Sequence, residues 1–137
     1  MAWNYLDLAD LLLIAEAVLE VPAERLLTVT RVDLAESALH APAAEFGGVE
    51  FYTDLATKTA VLASRIIGNH PLPDGNKRVG YLCALEFVAR NGGTWTYPHD
   101  DPDGDITVAT IEGVAASDIA EDDLAQWVAQ RLAPPGN

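Results

Sequence analysis

The stretch His70–Asn91, HPLPDGNKRVGYLCALEFVARN, contains the part of the sequence that decides the fold. It begins with prolines, an aspartate and a glycine, a composition typical of a turn. A helical pattern follows and ends at Gly92-Gly93, as expected of a helix C-terminus. Apolar residues occupy almost the whole circumference of this helix: Val79, Leu82, Cys83, Leu85, Phe87 and Val88. We therefore expect a central helix that is buried on all sides.

Four polar residues lie at the N-terminal end of this helix and in the turn before it. Asp74, Lys77, Arg78 and Tyr81 follow the spacing i, i+3, i+4 and i+7, so they share one face. A group of charged residues at the start of a largely apolar helix indicates a site rather than a solvated surface.

These residue types suit the binding of phosphates. A helix N-terminus presents unpaired N–H groups and a positive dipole end. Gly75 leaves the backbone open, and Lys77 and Arg78 add two cations. Asp74 could hold a Mg²⁺ that bridges phosphates, and His70 could accept a proton from an incoming hydroxyl. Each residue alone is better explained as a cap, a surface charge or a loop residue, but their grouping within nine positions favours a site.

The segment His70–Arg78, HPLPDGNKR, resembles the signature of the Fic/Doc family, H-x-F-x-D-(A/G)-N-(K/G)-R. Lys77 stands where most Fic proteins have glycine, and Tyr81 stands where the Fic signature has a second arginine. Both differences make the chain similar to the Doc, or death-on-curing, branch. The likeness extends more weakly from the first helix to the last.

The resemblance to Doc implies the toxin of a toxin–antitoxin pair. Such a toxin is a protein kinase that transfers the γ-phosphate of ATP, with Mg²⁺, to a Ser/Thr hydroxyl of a translation factor. We expect elongation factor Tu as the target, arrest of translation as the result, and a Phd-like antitoxin as the inhibitor. By this resemblance the catalytic residues are His70, Asp74, Lys77 and Arg78, the ATP-binding residues are Gly75, Asn76, Lys77 and Arg78, and the metal ligand is Asp74.

Two other functions stay open. A Fic-like enzyme that transfers AMP would need room for the α-phosphate, and Lys77 in place of glycine reduces that room. A catalytically silent helical binding protein would keep only the scaffold. Gly68 favours this last hypothesis, because Doc proteins have an arginine two residues before the histidine. Either Arg65 or another cation replaces that arginine, or this protein handles the phosphates differently. Leu72 replaces the family's phenylalanine and is expected to pack under the loop.

Composition narrows the class of protein. We expect the 137 residues to form one domain over residues 1–133, with a frayed tail at 134–137. No apolar run is long enough to span a bilayer and no signal-peptide pattern is present, which predicts a cytoplasmic protein without membrane contact. A net charge of −13 argues against direct binding of nucleic acid. Cys83 is the single cysteine, so an internal disulfide is excluded, and we expect a core residue rather than a nucleophile.

Hydrophobic periodicity predicts an all-α bundle of about six helices around the central one, with at most a small β flap. The other helices are expected at Leu6–Glu20, Ala23–Leu27, Arg31–His40, Thr53–Asn69, Ile106–Ala116 and Asp118–Leu132. Asp7 marks the start of the first helix, and Ser117 is expected to cap the last one. A short extended segment is expected at residues 94–97.

Three further stretches have more than one interpretation. Residues 43–52, AAEFGGVEFY, are either a β flap turning at Gly47-Gly48 or a plain loop with partly buried apolar residues. Residues 99–105, HDDPDGD, do not fit a calcium loop, because the first and twelfth ligands would be His99 and Thr110. They predict a solvated acidic loop that caps the next helix. Residues 117–121 approach the inhibitory motif of some Fic proteins, S/T-x-x-x-E-G/N, but Asp122 follows the glutamate, so we do not expect self-inhibition.

Overall fold

A computed structural model of the chain describes residues 2–97 and 99–134. These residues form seven α-helices, a 3₁₀ turn at Ala41–Ala43 and one hairpin of two short strands. The helices are α1 (Leu8–Leu19), α2 (Ala23–Val29), α3 (Val32–His40), α4 (Leu55–Asn69), α5 (Asn76–Arg90), α6 (Asp105–Ala115) and α7 (Glu121–Arg131). The strands are β1 (Glu45–Phe46) and β2 (Val49–Glu50). The all-α prediction is confirmed, while residues 135–137 of the expected tail lie outside the described residues.

The helix at the centre of the bundle is α4 rather than α5. It packs against α3, α5, α6 and α7, and nine of its 15 residues are buried. Ala56, Ala60 and Ala63 are buried in it and belong to one apolar cluster with residues of α5 and α7. Leu82 of α5 is 38% exposed, so the expectation that α5 has no solvent face is wrong. Within residues 2–97 and 99–134, every helix is too short or too polar to span a bilayer.

The main apolar cluster joins α1, α2 and α3 to α4 and α5. Phe87 of α5 is fully buried there, with the rings of Trp3 and Tyr5 stacked against it at 6.4 and 6.0 Å between centroids. Leu72 belongs to the same cluster, which confirms that it packs beneath the loop. Burial raises the pKa of the Cys83 thiol to about 12, so this cysteine is a core residue and not a nucleophile.

The predicted cap of α1 is present, whereas the predicted cap of the last helix is not. Asp7 caps α1 as predicted: its Oδ1 accepts the Asp10 N–H at 2.9 Å, and Asp10 accepts the Asp7 N–H in return. Ser117, in contrast, ends α6 with φ +62°, and α7 begins only at Glu121, so Ser117 does not cap the last helix. The reason is local packing: a Cβ at Gly113 would lie 2.6 Å from Ile119, which folds over that glycine.

The hairpin contains the turn predicted at Gly47-Gly48. Both glycines have positive φ, +60° and +80°, as a two-residue type I′ turn requires. The strands pair in antiparallel register, with Phe46 opposite Val49. A small β flap is therefore present instead of a plain loop, and Phe46, Val49 and Phe51 are 81%, 68% and 61% exposed, unlike the partly buried residues that the plain loop would have. The short extended segment is also present, since Trp95 forms a bridge with Leu132.

Candidate functional site

The motif loop, residues 70–75, joins the end of α4 to the start of α5. His70 is the C-terminal cap of α4, with φ +55° and an exposed side chain. Two bonds from the start of α3 hold its backbone: the Arg31 guanidinium donates to the His70 carbonyl at 2.7 Å, and the Arg31 N–H donates to the Pro71 carbonyl at 2.9 Å. The backbone of the loop is thus fixed while the imidazole faces solvent.

Asn76 shapes the loop from within. The Leu72 N–H donates to Asn76 Oδ1 at 2.9 Å, and Asn76 Nδ2 donates to the Leu72 carbonyl at 3.0 Å. Asn76 is buried together with Leu72. Its side chain therefore holds the loop, so a contact of Asn76 with a phosphate would have to come from its backbone.

Gly75 is required at the N-terminus of α5 for two reasons. Its φ is +72°, a conformation that favours glycine, and an added Cβ would lie 2.8 Å from the Leu19 side chain. The Gly75 N–H donates to Asp74 Oδ1 at 2.8 Å. Among the described residues, no side chain caps α5. Its first turn therefore presents N–H groups to an anion, as the sequence predicts.

Asp74 fits the role of a single Mg²⁺ ligand. Its side chain is exposed beside the start of α5. In the described part of the chain, no three or more His, Cys, Asp or Glu residues are grouped to hold a metal. Mg²⁺ commonly binds through one carboxylate and takes its other ligands from phosphates and water. The donor set at Asp74 is therefore compatible with a metal that arrives with a nucleotide.

A cavity of about 790 Å³ opens beside the first two turns of α5. Its size is within the usual range for small-molecule sites. Charged and aromatic residues from several elements line it, including Lys77, Arg78, Tyr81, Tyr97, Asp101 and Arg131. Burial raises the pKa of the Tyr81 hydroxyl, so this phenol stays neutral. The cavity thus joins two of the predicted site residues, Lys77 and Arg78, whereas His70 and Asp74 lie outside its lining.

Lys77 forms an ion pair across the edge of this cavity. Its Nζ lies 3.0 and 3.1 Å from the two carboxylate oxygens of Glu112 on α6. Both side chains are about half exposed, and exposed pairs of this kind contribute little to stability. An incoming phosphate could therefore compete with Glu112 for Lys77.

The acidic loop before α6 is only partly solvated. Asp101 is buried and caps α6, accepting the N–H groups of Ile106 and Thr107 at 2.9 and 3.0 Å. The hydroxyl of Thr107 also donates to it and holds the pKa of Asp101 below its usual value. Arg131 lies 3.5 Å away and stacks over Trp127 at 3.8 Å. The capping role is confirmed, but the solvated position expected for Asp101 is wrong.

Arg65, one candidate to replace the family arginine that is missing at Gly68, is paired with α7 in this structure. Its Nε donates to Glu121 of α7 at 2.6 Å, and this bond raises the pKa of Arg65. Ser64 also donates to Glu121, at 2.8 Å. Glu121 is therefore bound to α4. In the part of the chain that the structure describes, Arg31 is the cation bonded to the motif loop, and sequence reasoning did not single it out.

Comparison with known proteins agrees with this geometry. The sequence profile of the Fic/DOC family matches residues 5–88, which include α1 to α4, the motif loop and most of α5. The chain belongs to the Fic/DOC family. It is also similar to Toxin Doc of Mycolicibacterium smegmatis (strain ATCC 700084 / mc(2)155), with 38% identity over 66 residues. The alignment covers 48% of this chain and 51% of that relative, so it spans about half the length of each.

Proposed function

We propose that this Fic/DOC protein is a Doc-like toxin that transfers the γ-phosphate of ATP to a Ser/Thr hydroxyl of a translation factor, elongation factor Tu. One observation carries the proposal: an exposed His70 precedes an uncapped start of α5 that carries Lys77 rather than glycine. The similarity to a protein named Toxin Doc supports the toxin assignment.

In the proposed reaction His70 accepts the proton of the attacking hydroxyl. A bond forms between that oxygen and the γ-phosphorus, the bond to the β-phosphate oxygen breaks, and ADP leaves with the electron pair. The N–H groups of the first turn of α5, Lys77 and Arg78 stabilise the negative charge on the phosphates. Asp74 would hold Mg²⁺, which would neutralise further phosphate charge.

The cavity beside α5 would receive the rest of the nucleotide. Lys77 and Arg78 line its side nearest the motif loop, and Tyr81 and Tyr97 add aromatic surface. Aromatic rings offer flat apolar faces on which a base can stack. The cationic residues would then orient the phosphates towards His70.

Inhibition by a separate chain is part of the proposal. Glu121, the glutamate of the near-match to the inhibitory motif, is held by Arg65 and Ser64. A Phd-like antitoxin would take the inhibitory role instead. Expression of the free protein should then arrest translation in the cytoplasm, and co-expression of the antitoxin should relieve the arrest.

AMP transfer is the second candidate, and one observation favours it. Lys77 is drawn towards Glu112, which leaves the start of α5 open to a phosphate. Incubation of the protein with cell extract and ATP, labelled separately at the α- and γ-phosphates, distinguishes the candidates. Label from the γ-phosphate on the target supports the kinase, label from the α-phosphate supports AMP transfer, and no label supports the silent binding protein.

Restoring the family arginine at position 68 is expected to raise activity. Gly68 is exposed, and a Cβ added there meets nothing within 4 Å. Gly68→Arg should raise kcat/KM for ATP about ten- to a hundredfold, the value of one added charge-assisted hydrogen bond. Gly68→Ala is the control, since it stabilises α4 equally without a charge. An equal effect of both variants on kcat/KM would contradict a phosphate contact at this position.

Loss of Arg31 is expected to slow the reaction by misplacing His70. Arg31→Met removes the bond to the His70 carbonyl and should lower kcat about tenfold, with the KM for ATP little changed. Arg25→Met is the matched control, because Arg25 is an exposed arginine of α2. Steady-state kinetics measure both parameters. A normal kcat in Arg31→Met would remove this residue from the site.

A further inference from the structure

Lys58 is a fully buried lysine in the first turn of α4. A buried ammonium is costly unless its charge and its donors are satisfied. Its Nζ donates to the Tyr5 hydroxyl at 2.9 Å, to the Pro42 carbonyl at 2.9 Å and to Glu50 Oε1 at 3.2 Å. A lysine has three N–H donors, so each of them has a partner.

The surroundings of Lys58 tie it to the core as well. Its Nζ lies 5.0 Å from the ring centre of Trp3 and 5.3 Å from that of Tyr5. These two rings stack on Phe87 of α5. One ammonium therefore links the N-terminal segment, the 3₁₀ turn and the hairpin to the central helix.

In the described residues, the one other side-chain bond from residues 44–52 to a helix runs from Arg65 to the Tyr52 hydroxyl, at 3.4 Å. Each strand has two residues, and a hairpin of this size is marginal on its own. Phe46, Val49 and Phe51 are exposed, so their side chains do not anchor it. In the part of the chain that the structure describes, the ion pair of Glu50 with Lys58 is the one salt bridge from the hairpin to the helices.

We infer that Lys58 is a positioning residue that fixes the hairpin against the bundle through Glu50. We call this ion pair the hairpin lock. It holds the hairpin in one orientation against α4. The lock itself does not depend on the reaction, whereas its effect on the binding of a protein substrate rests on the proposed function.

Hydrogen exchange tests the lock directly. Glu50→Gln keeps the shape of the side chain and removes its charge, so amides of residues 44–52 should exchange about tenfold faster, with α4 and α5 unchanged. Glu45→Gln is the control, because Glu45 lies opposite Glu50 in the hairpin and is exposed. Exchange in Glu50→Gln as slow as in Glu45→Gln would overturn the inference.

Kinetics and a second variant separate positioning from stability. With a protein substrate, Glu50→Gln should raise KM several-fold and leave kcat unchanged. Glu50→Gln should add little to the hairpin exchange rate of Lys58→Met when the two are combined, because the partner of Glu50 is then already absent. Additive effects would contradict the lock. If the hairpin amides of Glu50→Gln exchanged fast but the wild type transferred no phosphate, the result would support the lock and contradict the proposed function.

Discussion

Replacement of His70 by alanine is expected to lower phosphoryl transfer by about 10²–10⁴-fold, the usual range for a general base. The imidazole is exposed, and the bonds that hold this part of the loop go to the His70 and Pro71 carbonyls. Removing the ring should therefore leave the loop in place. The loss should appear in kcat, because binding of ATP depends on the residues of α5.

The backbone at His70 calls for a second variant. Its φ of +55° lies in the left-handed region, which alanine adopts at a cost of about 1–2 kcal/mol. Asparagine tolerates this region better and has no basic nitrogen. His70→Asn should therefore lose as much activity as His70→Ala and less stability.

Initial rates with γ-labelled ATP and thermal unfolding give the two readouts. Near-normal transfer in either variant would rule out His70 as the base. Loss of the cooperative unfolding transition in His70→Asn would instead make His70 a structural residue. Arg31→Met is a useful comparison, because it should disturb the same loop without removing the imidazole.

Much of the fold could be predicted because its helices carry local signals. The cap at Asp7 and the turn at Gly47-Gly48 are examples in which neighbouring residues determine the geometry. The central position of α4 had no such signal. Its alanines indicate close packing but do not name the helices that pack there. The predicted cap at Ser117 was wrong for the same reason, because Ile119 packs over Gly113 and α7 begins only at Glu121.

In the candidate site, too, one part could be predicted from the sequence and another could not. Residues 70–78 are contiguous, so their grouping was visible in the sequence. Arg31 meets His70 from 39 residues away, and Glu112 meets Lys77 from 35 residues away. Such pairs depend on how α3 and α6 pack, which periodicity does not define. Lys58 gave no local sign of burial either, because its partners lie before α1, after α3 and in the hairpin.

Replacement of Lys77 by glycine is expected to lower γ-phosphate transfer by about 10²-fold, the loss typical of removing one donor that stabilises transition-state charge. Lys77 lies at the start of α5 and lines the cavity beside it. Its ammonium can leave Glu112 for a phosphate, since both partners are about half exposed. Glu112→Gln should therefore have the opposite effect and lower the KM for ATP.

Glycine at position 77 also opens space at the start of α5, so the variant tests the choice between the two reactions. Lys77→Ala removes the same charge and keeps a Cβ. Transfer of the γ-phosphate should fall equally in both variants, and any transfer of the α-phosphate should arise only in Lys77→Gly. We expect that gain to be small, because Tyr81 occupies the position at which the Fic signature has its second arginine.

The measurement is transfer of label from α- and γ-labelled ATP by wild type, Lys77→Gly and Lys77→Ala under the same conditions. Glycine in the first turn of α5 costs at most about 1 kcal/mol of helix stability, so a folded variant is expected and thermal unfolding checks it. Undiminished γ-transfer in both variants would remove Lys77 from the site and weaken the Doc assignment. If the wild type transferred label only from the α-phosphate, AMP transfer would replace phosphoryl transfer as the proposed reaction. The start of α5 would then accept the α-phosphate despite the lysine beside it.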